Sequence, residues 1–382
     1  MTSPQKLRLP GTHRAVSPET TWARIAPRLG DYGITRVADV TRLDVIGIPV
    51  FLAVRPASET LAVSQGKGAT PLLAKLSAVM ESIELWHAER PTLPSFKAPT
   101  TALDLPYALD DLNLRMSAPW MNELRLSWVH ARSLIDDRSI PVPLDLVRLS
   151  YSGSHFWRPR LFQTSSTGLA SGNNSTEACL HGLYEAVERD VMARRLGPDH
   201  AEPQVIDPST IDDDHVCSLI DRLRSAGVEI EIVCLPNRFG VPTFAAYVWS
   251  TLFPIVCAGS GSHLNADVAL SRALTEAVQS RLTEISSTRD DIPSDFSLMR
   301  NACSVAPFRS HSEGVHLRDA LRGHGGDRED MAKELREVVE RVRGVTGHDP
   351  LFLELTDQSV PFSVARVVCP GLVYTEGRML SA

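Results

Sequence analysis

Three stretches of the chain place acidic and polar side chains one helical turn apart. In the first, Ser77, Glu81 and Glu84 are spaced i, i+4, i+7. In the second, Glu177, His181, Glu185 and Glu188 are spaced i, i+4, i+8, i+11, with Arg189 beside them. In the third, Arg272, Glu276 and Gln279 repeat the i, i+4, i+7 spacing, and Arg281 lies nearby on another face. At about 100° per residue each set shares one helix face. A row of carboxylates on one face repels itself unless cations neutralise it. Magnesium prefers hard oxygen ligands and commonly bridges carboxylates and phosphates. Any one of these helices alone reads first as a solvated acidic face paired to arginines. Three of them, two introduced by glycine-rich stretches, point instead to a metal–phosphate site.

The glycine-rich stretches are SQGKGAT (64–70) and TGLASGNNS (167–175), both predicted to be turns. Glycine lets backbone N–H groups approach an anion closely, and a helix N-terminus adds a favourable dipole. SQGKGAT is not a Walker A loop, because Gly66 directly precedes Lys67 and the GxxxxGK[ST] spacing is absent. Lys67 stands out in a chain with five lysines against thirty-four arginines. His181 reads equally as a ligand or proton carrier and as a packed, hydrogen-bonded histidine. Cys179 and Cys257 have no evident base partner and read as small core residues rather than nucleophiles. His311, His316 and His324 lack metal-ligand spacing on one helix face and read as solvated loop residues.

SQGKGAT…SAVMESIE resembles the Gly-Lys-Gly turn and SxxxExxE helix of the YcaO family. TGLASGNNSTEACLHGLYEAVERD resembles that family's second signature, ALSRALTEAVQSRL its third, and GTHRAVSPETT its N-terminal segment. The resemblance implies an α/β fold with mixed sheets and long acidic helices that binds ATP and Mg²⁺ and is neither a P-loop nor a Rossmann fold. It implies Glu81, Glu84, Glu177, Glu185 and Glu188 as metal ligands. Nucleotide or phosphate contacts would come from Arg14, Thr21, Lys67, Ser77, Asn173 and Arg189, with one of Arg272 or Arg281. Glu188 and Arg189 are the residues carried over as catalytic.

What the family resemblance implies chemically is ATP-dependent activation of a peptide-backbone amide. The amide oxygen leaves as phosphate after a nucleophile has added to the carbon. Two departures bear on the product. Leu85 follows Glu84 where the first signature often continues ExxER, so one basic contact is missing or supplied elsewhere. The chain reads GRMLSA at its end, without the PxPxP tail usual in azoline-forming members. The tail and the GTHRAVSPETT segment look more like the stand-alone branch associated with TfuA-like proteins and thioamide formation. Azoline formation by a cyclodehydratase, and a non-catalytic scaffold, are the alternatives; retention of all five glutamates argues against the scaffold.

The elements that must position these residues are legible in outline. Helices are predicted over about 71–89, 175–195, 266–284 and 331–343, and Ser17-Pro18-Glu19 reads as a further helix start. Strands are predicted over 44–54, 60–63, 127–133, 229–235, 240–249 and 254–258. The prolines of SIPVPLDLV exclude a central strand there. The expected organisation is one domain, with 1–60 as an N-terminal segment, 61–300 as the ATP/Mg core and 301–382 as a C-terminal part. With 382 residues, 43% hydrophobic and 22% charged, the chain has an ordinary globular composition. A net charge of −7 argues against nucleic acid as the main partner. Six scattered cysteines without a CxxC pair argue against structural zinc and read as reduced thiols. No apolar run approaches the ~18 residues of a membrane span, and no apolar signal region opens the chain. A cytoplasmic homodimer acting on a peptide or protein substrate, with no membrane contact, is the resulting expectation.

Overall fold

The computed structural model describes residues 6–115, 119–149, 161–195, 202–287, 305–308, 314–357 and 359–374. Cys303, His311 and the terminal Gly377–Ala382, on which the tail argument rests, lie outside those residues. Each helix opens on a side chain that accepts a hydrogen bond from its first turn, satisfying a donor the helix itself leaves free. Ser17 caps α1 (Pro18–Ile25), Thr70 caps α2 (Pro71–Glu89) and Asn174 caps α3 (Ser175–Arg194). Asp213 caps α4 (Asp214–Ser225) and Asn265 caps α5 (Ala266–Ser286). His316 caps the short α6 (Leu317–Ala320), and Asp330 caps α7 (Met331–Thr346). α4 goes unpredicted above, although Val216, Leu219, Ile220 and Leu223 bury its i, i+3, i+4, i+7 face.

The strands form a mixed α/β fold with several sheets, and every pairing between the named strands is antiparallel. β1 (Leu7–Leu9) and β2 (Thr12–Arg14) make an N-terminal hairpin. β3 (Arg36–Asp39), β4 (Val50–Val54) and β5 (Val63–Lys67) make a three-stranded sheet. β6 (Ser95–Pro99), β7 (Arg125–Ser133), β8 (Ser139–Pro143) and β9 (Leu169–Gly172) belong to a six-stranded sheet. β8, which holds the prolines, pairs with β7 alone, at an edge. β10 (Gln204–Val205), β11 (Glu229–Cys234), β12 (Thr243–Ser250) and β13 (Phe253–Ser262) form a four-stranded sheet. β14 (Leu351–Glu354) and β15 (Ser363–Val368) complete the six-stranded sheet between β7 and β9.

The glycine-rich stretches differ from expectation. They are strand ends: β5 runs through Gly66 to Lys67, and β9 ends at Gly172. β13 likewise continues through Gly259 and Gly261. The reason is packing. A β-carbon on Gly66 would meet the backbone nitrogen of Ala78 in α2 at 2.0 Å. One on Gly172 would meet Ala178 N in α3 at 2.4 Å, and one on Gly259 would meet Ala277 N in α5 at 2.3 Å. Each acidic helix therefore lies directly on the backbone of the strand that precedes it, and only glycine permits that approach.

Three strand–helix units result: β5–α2, β9–α3 and β13–α5, each on a different sheet. The five described cysteines form no disulfide. No helix among the described residues is long and apolar enough to cross a membrane.

Gly66→Ala tests the packing argument. The added methyl faces helix backbone rather than a flexible side chain, so α2 must shift. A loss on the order of 3 kcal/mol is expected, read as a lowered denaturant midpoint at unchanged slope. A variant as stable as the parent would refute the close approach.

Candidate active site

The three units face one another around a cavity of about 1010 Å³. Glu81 and Glu84 come from α2, and Glu177, Glu185 and Glu188 from α3. Arg14, Thr21, Lys67, Ser77, Asn173, Arg189 and Arg272 line the same cavity. Glu276 and Glu284 of α5 add two further carboxylates, neither named above as a ligand, although the i+4 spacing of Glu276 from Arg272 was visible.

Polar contacts close the units into a ring. Ser171 of β9 donates its hydroxyl to Glu84 of α2. Ser260 and the Ser262 N–H of β13 donate to Glu188 of α3, at 2.7 and 3.0 Å. Lys67 of β5 donates to Glu276 of α5 at 2.6 Å, and Gln279 of α5 reaches the Gln65 carbonyl at 3.4 Å. Each helix is thus tied to the strand of the next unit. Within units, the Gln65 N–H donates to Glu81 at 3.0 Å and the Gly168 N–H to Glu185 at 3.2 Å.

The N-terminal hairpin closes one end. The Ala15 N–H donates to Glu177 at 3.0 Å, and the Arg14 guanidinium lies 3.7 Å from the same carboxylate. Thr21 donates to Asn173 at 2.8 Å, and the Asn173 amide donates to Glu177 at 3.1 Å. His181 Nδ1–H donates to the Ser171 carbonyl at 3.0 Å, which leaves Nε2 to accept from Arg14 at 2.6 Å. Burial, then Arg14 and Arg272, hold its pKa well below the usual histidine value. The ring is therefore neutral and hydrogen-bonded, an acceptor for Arg14.

Arg281 is not part of the cavity. Nine positions from Arg272 carry it to the opposite helix face at about 100° per residue. There its Nε donates to Asp44 at 2.7 Å and its Nη1 to Ser250 at 3.0 Å, fully buried. Of the two arginines left open by the sequence, Arg272 is the one that reaches the site.

The electrostatics match the crowding. Burial, together with the negative Glu81 and Glu185, pushes the Glu84 carboxyl up to about 8 against the Ser171 hydrogen bond. Burial and Glu188 also raise Glu185, despite Arg189. Burial opposes the charge on Glu276 too, but Lys67 and Arg189 outweigh it and its carboxyl falls below the usual range. Carboxylates held at the cost of their own ionisation, with guanidinium and ammonium groups around them, form a hard-oxygen donor set that fits Mg²⁺ and a polyphosphate.

The YcaO family model, described as an ATP- and Mg²⁺-binding cyclodehydratase, matches residues 65–373. The chain belongs to the YcaO family. It is 38% identical over 369 residues to an uncharacterized protein of Mycobacterium tuberculosis, covering 95% of this chain and 83% of that one. An uncharacterized Rhizobium leguminosarum bv. trifolii protein, from the region 3′ of tfuA, is 33% identical over 382 residues, covering 94% and 88%. Among solved structures, a YcaO protein of Methanopyrus kandleri bound with AMPPCP and Mg²⁺ superposes with a TM-score of 0.72 at 22% identity, over 97% and 95%. A heterocyclase in complex with substrate and cofactor gives 0.77 at 19%, over 99% of this chain and 55% of that one. This chain thus spans just over half the heterocyclase, and the two likenesses concern the fold. As a YcaO protein the chain is an ATP-dependent peptide-modifying enzyme with ATP and Mg²⁺ as its cofactors.

Two outcomes test the site. A carboxyl raised from about 4.5 to about 8 on folding destabilises the metal-free protein progressively as pH rises through that window. Glu84→Gln should raise the metal-free Tm by on the order of 2 °C at pH 8, with a smaller gain at pH 5. It should also abolish the Tm increase that Mg²⁺ and ATP give the parent. An unchanged metal-free Tm at pH 8 would contradict the electrostatic account. Arg281→Met should do the reverse, costing ~3 kcal/mol of stability by orphaning buried Asp44 while nucleotide affinity stays within about twofold. A large affinity loss in the folded variant would return Arg281 to the site.

Proposed function

We propose that this enzyme activates a backbone amide of a peptide or protein and converts it to a thioamide, with sulfide as nucleophile and a TfuA-like protein as partner. The observation that carries the amide-activating core is the ring itself: seven carboxylates and four cationic side chains from three helices and two strands meet in one cavity. Its size lies at the upper end of small-molecule sites, about 300–1,000 Å³, and Ile255, Val256, Pro307 and Phe362 give it an apolar wall beside the charged one. Such a wall suits a peptide lying next to a nucleotide.

In this reading Glu81, Glu84, Glu177, Glu185 and Glu188 hold Mg²⁺. Lys67, Arg189 and Arg272 neutralise phosphate oxygens, while Arg14, Thr21, Ser77 and Asn173 place the nucleotide. Glu188 and Arg189 sit where the reacting groups meet. ATP supplies the group that converts the amide oxygen into a leaving group. The balance is amide plus hydrosulfide plus ATP giving thioamide, ADP and phosphate. The protein's own contribution is alignment and charge neutralisation. Lys67 spends one of its three N–H donors on Glu276 and keeps others for a phosphate oxygen.

The relative from the tfuA region supports the thioamide branch. Among the described residues Cys257 is the cysteine that lines the cavity, and its thiol donates to the Ile255 carbonyl at 3.9 Å. An external sulfur nucleophile fits that arrangement better than an enzyme thiolate. Azoline formation is the second reading, favoured by the likeness to the heterocyclase fold.

Mass spectrometry separates the two. The enzyme is incubated with ATP, Mg²⁺, sulfide and a co-expressed candidate peptide, with and without the TfuA-like protein. Exchange of one oxygen for sulfur, dependent on ATP and sulfide, is the expected product. Loss of one water from a Cys- or Ser-containing peptide without sulfide would replace the thioamide reading by the azoline one. Glu188→Gln should abolish either product while the circular-dichroism spectrum stays unchanged.

A further inference from the structure

We infer that the N-terminal hairpin is a positioning clamp for the nucleotide end of the cavity, anchored by Lys6 and by the turn at Gly11, and that Arg14 is the residue it delivers. The inference rests on the reading of Arg14 as a nucleotide contact.

The anchor at the base is electrostatic. The Lys6 side chain is fully buried. Its ammonium donates to the Asp327 carboxylate, to the Arg328 carbonyl at 2.6 Å and to Glu334 at 2.6 Å. Glu334 in turn accepts from the Tyr184 hydroxyl of α3, and that hydroxyl accepts from the Leu264 N–H just before α5. One buried carboxylate therefore holds the hairpin against both helices whose acidic and basic groups it completes. Removing one member of such a buried group leaves the others uncompensated, so the contact is held firmly.

The anchor at the tip is steric. Gly11 has φ +68°, and a β-carbon there would meet Ser271 Oγ at 2.2 Å and His215 Nε2 at 3.0 Å. Ser271 immediately precedes Arg272 on α5 and is itself hydrogen-bonded to His215 at 3.0 Å. The turn is thus seated on the back of the helix face that reaches the cavity.

Hairpin register transmits both anchors to the site. Leu7 pairs with Arg14, and Arg8 with His13, so Lys6 stands one residue beyond the last pair. The His13 ring packs edge-on against His263, with centroids 5.1 Å apart. Arg14 and Ala15 then make their bonds to His181 and Glu177. A long arginine side chain loses much rotamer freedom when held in one place. The clamp removes that freedom before the nucleotide arrives, which raises affinity.

The test measures Mg·ATP affinity by calorimetry for the full-length protein and for Arg14→Ala, Lys6→Met, Gly11→Ala and the double variant Lys6→Met/Arg14→Ala. Gly11→Ala carries no charge change and reports separately if Lys6→Met folds poorly. Arg14→Ala should weaken binding about tenfold, the scale of one hydrogen bond to a charged group. Lys6→Met and Gly11→Ala should weaken it by a similar factor. The double variant should be no weaker than Arg14→Ala alone, because a misplaced Arg14 and an absent one are equivalent. If Arg14→Ala weakens binding while Lys6→Met and Gly11→Ala do not, the clamp is wrong and the hairpin only stabilises the fold. Additive losses in the double variant would overturn the clamp as well. If Arg14→Ala itself leaves affinity unchanged, the nucleotide role of Arg14 fails, and the clamp with it.

Discussion

Mutual repulsion among carboxylates is the constraint that this structure is organised around. Seven of them face one cavity, and burial is the largest of the effects that lift Glu84 to about 8. Such a cluster persists only if the surrounding chain fixes each group by other means. Backbone N–H groups of Gln65, Gly168, Ser262 and Ala15 each hold one carboxylate. Lys67 holds Glu276, and Arg189 lies 3.7 Å from Glu185. The repulsion is therefore balanced by donors spread over three sheets and the N-terminal hairpin, and no single element could supply them all.

That distribution explains the packing. Tying α2 to β9, α3 to β13 and α5 to β5 makes a closed three-part ring, in which moving one unit disturbs the other two. Helix-on-strand contact through glycine brings the helix axes close enough for these reaches. A larger residue at Gly66, Gly172 or Gly259 would push a helix outward, and the carboxylates would no longer converge. The glycines act at a distance from the chemistry, through the spacing of the layers.

Much of this was legible because it is local. Caps and apolar spacing define α2 as Pro71–Glu89, the same limits that the sequence pattern suggested. The i, i+4, i+7 rows assign the cavity faces of α2 and α3 without further information. Other features depend on contacts between remote segments and left no local trace. The glycines near Lys67 and Gly172 have a phosphate-loop composition, yet their role is to let a helix touch a strand. Arg272 and Arg281 are equivalent in type and differ only in the face each presents, and it is Asp44, more than two hundred residues away, that claims Arg281. Glu276 sits in a visible row, but its pairing with Lys67 joins positions 209 residues apart.

The anchoring of Lys6 also sets a timetable for synthesis. Its partners Asp327 and Glu334 lie 321 and 328 residues further along the chain. An N-terminal segment emerging from the ribosome meets those carboxylates only after most of the polypeptide has been made, and domains otherwise tend to fold from the N-terminus onward. Until then the ammonium stays in water and the hairpin has no seat at its base. Closing a loop of that length is slow relative to the local contacts of helices and hairpins. The seat of the hairpin against the cavity is consequently among the last contacts to be assembled, completed only once the region of α7 has been made.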